Sequence, residues 1–416
     1  MLGFTVVARA PPLTRTFGFI VLISIACALI GGLHYYFWVR LVRDTQMPAP
    51  ARQIATIATV ALACLIVGTP ILSRMVPRVG RVLAWPGFLW LGMMFMLTVA
   101  LFGTDVLRLL GWLAGRLSGH PIFDPSRRVF TARVFAGAAL TTVTGVTAAA
   151  IQATRGRVGV KRIEIVLDRL PAAADGMRIV QLCDMHVGGL LGKGFVEEVV
   201  HTTNRLAPDV IAVVGDLVDG SVEHLRPAIA PLGNLRARFG TFFVTGNHEY
   251  YSSSGAGAWM AELERIGMRV LRNQRVSVGS LEAGFDMAGV PDHSAGRFPG
   301  EGPGQNVAQA MAGRDPRRAV VLLAHQPLAV HESIRHGVDL QLSGHTHGGQ
   351  IWPWGALVRL QQPYVRGLHR IEETQLYVSC GTGFWGPPMR LGAPAEITEI
   401  VLRSKTSRKT NSPGTV

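Results

Sequence analysis

The first third of this sequence lacks one kind of charge almost entirely. Residues 1–155 hold no lysine and three acids, Asp44, Asp105 and Asp124, against 14 arginines. Beyond residue 155 the balance is nearly even, with 27 bases facing 24 acids, so the formal net charge of +14 does not mark a basic groove in the second part. A nucleic-acid-binding domain would gather its bases on one face; here they flank apolar runs, and no nucleic-acid partner is expected. Cysteine is scarce too. Cys27, Cys64, Cys183 and Cys380 show no paired spacing, which excludes a disulfide framework and a zinc knuckle. Two fall in apolar runs and two in expected strands, and Cys183 should point away from its neighbour Asp184 by strand alternation, so all four read as structural thiols.

What the chain has instead is apolar length, since 48% of its residues are hydrophobic. Residues 17–39 run without a charge and end in Tyr35, Tyr36, Phe37 and Trp38, as a bilayer span with an interfacial aromatic cluster would. Further spans are expected at 54–72 and 82–103, with Pro70 and Pro86 near ends where a helix tolerates them. A fourth, at 134–151, is rich in Ala, Thr and Gly, which suits close helix packing; without it the count would be three. A cleaved signal peptide would account for the first run alone. Residues 1–155 are therefore expected to form a multi-pass membrane domain, placing the protein in the cell membrane. Arginines in every connecting loop leave the orientation, and so the side of the second domain, open.

From Lys161 the texture changes to short β-rich runs alternating with helical patterns. Strands are expected at 162–167, 177–184, 209–216, 241–246, 285–290, 319–325, 340–343, 375–379 and 397–402, with a helix at 193–206 and another opening at Pro327. Strand–helix alternation in the first half predicts parallel βαβ units, and the second half has more consecutive strands. The polar, basic tail at 404–416 reads as disordered.

Four short motifs punctuate this second domain: Asp184-x-His186, Gly215-Asp216-x-x-Asp219, Gly246-Asn247-His248-Glu249 and Gly344-His345-x-His347, with His325 between the last two. Asp184, Asp216 and the Asn247-His248 pair each follow an apolar β run, so they project together from the carboxyl ends of neighbouring strands, where open α/β sheets keep their sites. The glycines beside them suit tight turns. Taken singly each motif is weak: His325 alone reads as an ordinary histidine, and Gly-Asp-x-x-Asp as a polar turn. The ordered set reads as a metal shell. Mixed imidazole, carboxylate and amide ligands favour transition metals over calcium. Two divalent ions about 3.5 to 4 Å apart bind phosphoryl oxygens and lower the pKa of a shared water toward about 7, supplying hydroxide at neutral pH.

On these motifs residues 160–403 resemble the calcineurin-like metallophosphoesterase superfamily. The resemblance implies two packed mixed β-sheets flanked by helices, following an N-terminal multi-span α-helical membrane domain, and hydrolysis of phosphoric esters with two divalent ions, Mn, Fe or Zn. Carried over by position, Asp184, His186, Asp216 and His347 would hold the first ion, and Asp216 would bridge to a second held by Asn247, His325 and His345. His248 would donate a proton to the leaving oxygen or a hydrogen bond to the transition state, with Asp219 orienting its ring; Glu249 would support them from behind. The phosphoprotein phosphatases of the superfamily place an arginine after the second Asp of Gly-Asp-x-x-Asp. Here that position is Gly220, which disfavours such substrates. Residues 342–350 and 381–390 resemble a bacterial membrane-associated branch, some of whose members cleave phosphodiester or pyrophosphate bonds in lipid head groups, UDP-diacylglucosamine among them. Trp352, Trp354, Phe384 and Trp385 would suit an amphiphilic substrate or would pack a core, and Arg390 would grip a phosphate or lie solvated. The rival readings are a nucleotide phosphodiesterase or nuclease, and a membrane scaffold or sensor with a structural metal site. The membrane and a phosphate ester, with a lipid-linked one favoured, are the expected partners, and no obligate protein partner is implied.

Overall fold

The computed structural model describes residues 12–119 and 127–406. It divides into two compact units, Met1–Ala148 and Ala149–Val416.

The first unit is helical. Helix α1 (Pro12–Trp38) continues through a π-helical turn, Val39–Arg43, and is followed by α2 (Ala49–Met75), α3 (Pro77–Ser118) and α4 (Arg128–Arg155). Each has an apolar stretch long enough to cross a membrane: Ile23–Arg43, Ala49–Leu72, Val82–Ser118 and Arg128–Arg155. Large side chains such as Ile25, Leu29, Ile57 and Phe102 face outward, a costly arrangement in water and a natural one against lipid. The helices outrun the apolar runs that mark them. Pro70 and Pro86, expected near helix ends, lie inside α2 and α3, as spanning helices tolerate. Helix α3 continues past Gly103 because Asp105 is not left bare: Tyr36 Oη donates to it at 2.7 Å and Arg40 pairs with it at 2.8 Å. In α4, Ala132, Ala136, Ala139, Val143 and Thr147 are buried at helical spacing, so small residues form its packed face.

Among its described residues the second unit carries twelve strands: β1 (Gly159–Leu167), β2 (Arg178–Leu182), β3 (Val210–Val214), β4 (Thr241–Val244), β5 (Met268–Val270), β6 (Gln274–Gly279), β7 (Gly284–Gly289), β8 (Val320–Leu323), β9 (Leu340–Ser343), β10 (Gly367–Ile371), β11 (Thr374–Val378) and β12 (Glu396–Ser404). Its helices are α5 (Lys193–Arg205), α6 (Val222–Ile229), α7 (Asn247–Tyr251), α8 (Gly255–Arg265), α9 (Val307–Met311), α10 (Val330–Arg335) and α11 (Gly355–Val358). The strands form two mixed six-stranded sheets, ordered β1-β12-β2-β3-β4-β5 and β10-β11-β9-β8-β7-β6. Within them β2, β3, β4 and β5 are mutually parallel, as are β7, β8, β9 and β11. The tail expected from 404 begins inside β12, where Ser404 pairs with Leu167; residues 407–416 lie outside the described residues.

Alternation decides the layering. Ile179, Cys183, Val210, Ala212 and Val214 of the first sheet pack against Phe285, Met287, Val321, Leu323 and Leu342 of the second, forming the inter-sheet core. The intervening Val180, Leu182, Ile211 and Val213 turn outward onto Val196, Val199 and Val200 of α5 and Trp259 and Leu263 of α8. On the other sheet Val320 and Leu322 meet Val307 and Met311 of α9. The result is a helix–sheet–sheet–helix sandwich in which β2, β3, β4, β8 and β9 all deliver their carboxyl ends to one rim.

Candidate metal centre

At that rim each strand runs straight into a motif. Asp184 follows β2, Asp216 follows β3, Asn247 follows β4, His325 follows β8 and His345 follows β9. The first two loops are stitched together by backbone: Asp184 N–H donates to Gly215 O, His186 N–H to Asp216 O and Val187 N–H to Leu217 O. Such close passage requires glycine. Gly215 has φ +74°, and a Cβ there would lie 2.6 Å from both Gly246 N and His325 Nδ1.

Among the described residues the structure brings six of the seven expected ligands together, with Asn247 next in sequence to the Gly246 that abuts Asp216. Three groups could hold a metal: Asp184, His186 and His347; Asp216, His325 and His345; and, between them, His186, Asp216 and His248. His186 and Asp216 each belong to two groups, so the groups adjoin. Asp216 Oδ2 lies 3.2 Å from His325 Nε2 and 3.8 Å from His186 Nε2. His347 Nε2 is 3.6 Å from Asp184 Oδ1 and 3.0 Å from His186 Nε2. Backbone holds both carboxylates: Asp184 accepts from His345 N–H at both oxygens, and Asp216 Oδ1 accepts from His248 N–H.

The donor chemistry fits cations. His325 Nδ1 donates to Val214 O at 2.8 Å, which leaves the Nε2 lone pair facing the centre. His325 Nε2 and Asn247 Oδ1 are both buried without a hydrogen-bond partner. Two acceptors buried beside a carboxylate are unfavourable unless a positive charge lies among them. A proton answers part of this need: burial opposes the His325 imidazolium, yet the Asp216 carboxylate overcomes it and raises the His325 pKa well above its usual range. Burial likewise works against the Asp216 anion, and His325 and His248 overcome it, holding that carboxyl well below its usual value. His347 is pushed the other way, by burial and then by its neighbours His186 and Arg390.

His248 sits apart in function although it falls in the middle group. Its Nδ1 is 2.6 Å from Asp219 Oδ1, which also takes His186 Nδ1 at 3.0 Å. Its Nε2 stays 4.0 Å from Asp216 Oδ2. Its ring packs edge-on against Tyr251 and Trp385. Burial disfavours its charged form, but Asp216 and Asp219 outweigh burial and push its pKa up to about 9.

Two supporting residues do more than their motifs indicated. Glu249 is fully buried and accepts three backbone N–H groups, from Gly246 (2.7 Å), Leu217 (2.7 Å) and Asp216 (3.1 Å), tying the β3 loop to the start of α7. Its carboxylate takes the N–H of the N-cap Gly246 three residues earlier, the glutamate half of a capping box, and that spacing was the signal available in the sequence. Arg390 is neither solvated nor free to grip a phosphate. It is buried and donates to the carbonyls of Cys380 (2.7 Å), Ala393 (2.9 Å) and Gly383, and its Nη2 lies 3.3 Å from His347 Nδ1. No local pattern announced this, since all its partners come from the surrounding loops.

Residues 177–349 match the model of the calcineurin-like phosphoesterases. The chain is 39% identical over 306 residues to a bovine (Bos taurus) "transmembrane protein with metallophosphoesterase domain", a match covering 71% of this chain and 68% of that one. It is also similar to an uncharacterized metallophosphoesterase of Helicobacter pylori, 40% identical over 251 residues, covering 60% and 65%. A third similar protein, from Aquifex aeolicus, is 34% identical over 248 residues, covering 59% of this chain and 92% of its own.

Proposed function

We propose, given that the chain belongs to the calcineurin-like metallophosphoesterases, metal-dependent phosphoester hydrolases, that its substrate is a phosphodiester or pyrophosphate presented at a membrane, with a lipid head group favoured. In this reading Asp184, His186, Asp216 and His347 hold one divalent ion, and Asp216, Asn247, His325 and His345 hold the second, as members of a multi-pass cell-membrane protein. The observation that carries it is the pair of buried, partnerless acceptors, His325 Nε2 and Asn247 Oδ1, beside Asp216. When bound, the ions polarise the phosphoryl group and acidify water.

The chain's own residues supply the rest. Asp219 fixes the His248 ring through Nδ1, so Nε2 is the atom left to face a leaving oxygen. Asp219, which pairs with Nδ1 and raises the proton affinity of the ring, is not among the proposed ligands and stays available to support a proton donor. Glu249 and Arg390 hold the loops that carry Asp216 and His347, so ligand positions are set before substrate arrives. Gly220 leaves no arginine beside Asp219, which favours a diester or pyrophosphate over a phosphoprotein.

The test is hydrolysis of bis(p-nitrophenyl) phosphate against p-nitrophenyl phosphate by the detergent-purified, Mn²⁺-loaded chain. His248→Ala should keep its metals and lose roughly 10²- to 10⁴-fold in turnover, or about 3 to 5 kcal/mol of barrier. Unchanged turnover on a diester with a poor leaving group would sink the role of His248. Preference for cyclic nucleotides or nucleic acid over lipid diesters would favour the nucleotide reading, and two bound metals without turnover would favour a scaffold.

A further inference from the structure

Beside the metal centre the second unit exposes a band of large apolar side chains. Trp352 is 68% exposed, Trp354 47%, Leu357 49%, Leu360 83% and Trp385 54%. They are held as one surface by backbone and by Gln350. Trp352 N–H donates to Leu391 O, Leu391 N–H donates to Gln350 O, and the Gln350 side chain accepts from Trp385 N–H and donates to Trp385 O. The band begins at the proposed proton donor, because the Trp385 ring lies edge-on to His248 with centroids 5.6 Å apart. An isolated exposed leucine is ordinary, but three tryptophans and two leucines grouped at the mouth of a site are not.

The segment that carries the band is poor in acids, Glu372 and Glu373 excepted. No Asp or Glu occurs from residue 340 to 371 or from 374 to 395, while Arg359 and Arg366 are exposed within that stretch. Tryptophan is the side chain best suited to a boundary that is apolar on one side and wet on the other, and arginine is drawn to anionic head groups. A protein partner would need acidic groups to meet these arginines. A bilayer carrying anionic lipid meets both features, and the chain already possesses four helices able to cross one.

We infer that the surface formed by Trp352, Trp354, Leu357, Leu360 and Trp385 docks into the interfacial layer of an anionic bilayer. The mouth of the metal centre then opens at the lipid surface, and a lipid-borne phosphoester reaches His248 without leaving the membrane. The docking itself stands on the surface alone; its bearing on substrate rests on the function proposed above.

The experiment uses the full chain, with Cys27 and Cys64 replaced by Ser, in nanodiscs of mixed phosphatidylglycerol and phosphatidylcholine. A nitroxide is placed at Leu360→Cys, with Leu281→Cys as a reference, since Leu281, 73% exposed against 83%, stands on the β6–β7 turn. Expected is a Leu360 label that meets dissolved oxygen several-fold more, relative to a water-soluble nickel chelate, than the Leu281 label does. Equal nickel access at both sites would overturn the inference. Exclusion of both probes from Leu360 would overturn it in favour of a second copy or another protein, and an unchanged ratio in pure phosphatidylcholine would overturn the role of the arginines. In parallel, Leu357→Ser with Leu360→Ser should lower turnover of a bilayer-borne diester several-fold and leave bis(p-nitrophenyl) phosphate unchanged. Loss of both together would argue against docking, whereas absence of any diester turnover in the parent chain would indict the proposed function and leave the label measurement standing.

Discussion

Asp219 joins two tasks through one oxygen, accepting from His186 on the ligand side and His248 on the proton side. Asp219→Asn keeps an acceptor but removes the charge, and second-shell changes of this kind cost about 10- to 100-fold in metal affinity or activity. Both should fall, and titration of metal content alongside turnover would reveal it; a loss of turnover with metal affinity intact would separate the tasks. Asp216→Ala should remove activity and lower metal content, because two ligand groups share that carboxylate; two ions retained would contradict the bridging role. His325 carries a pH consequence. Its raised proton affinity means that metal loading near neutral pH must displace a proton, so apparent metal affinity should weaken as pH falls. Calorimetry in buffers of different ionisation enthalpy would register the released protons.

At the scale of elements, the glycines between strand and ligand decide the geometry. A Cβ on Gly246 would collide with the Asp216 carboxylate and with Asp216 N, and the second is backbone that no rotamer change can move. Gly246→Ala should therefore reduce metal content almost as far as loss of a ligand, which elemental analysis of the purified variant would check. These motifs, and the strands that feed them, were legible because each ligand follows a short apolar run. Strands β5, β6 and β10 were not. Met268–Val270 spans three residues, Gln274–Gly279 buries only Val276 and Val278, and Gly367–Ile371 has no fully buried position, so none offers an apolar run to read. Each of β5, β6 and β10 is an edge strand of its sheet, formed because a neighbour supplies its hydrogen bonds. Arg390 was opaque for a similar reason: its partners are loop carbonyls that only the tertiary fold assembles.

At the scale of the whole molecule, two compact units imply separable stability. A chain beginning at Ala149 should fold, bind metal and hydrolyse a soluble aryl diester, assessed by circular dichroism, metal content and turnover. A metal-free or aggregated product would show that the units depend on one another. The backbone of the second unit also tells where the molecule is under tension. Five of its ligand residues, Asp184, His186, Asp216, His345 and His347, adopt positive φ between +46° and +69°. Side-chain-bearing residues do so at about 1 to 2 kcal/mol each. His345→Gly should therefore shed its metal while the metal-free form resists denaturant no less well than the parent. In that outcome the residues proposed as ligands would be a local cost to the fold, carried for the site they build.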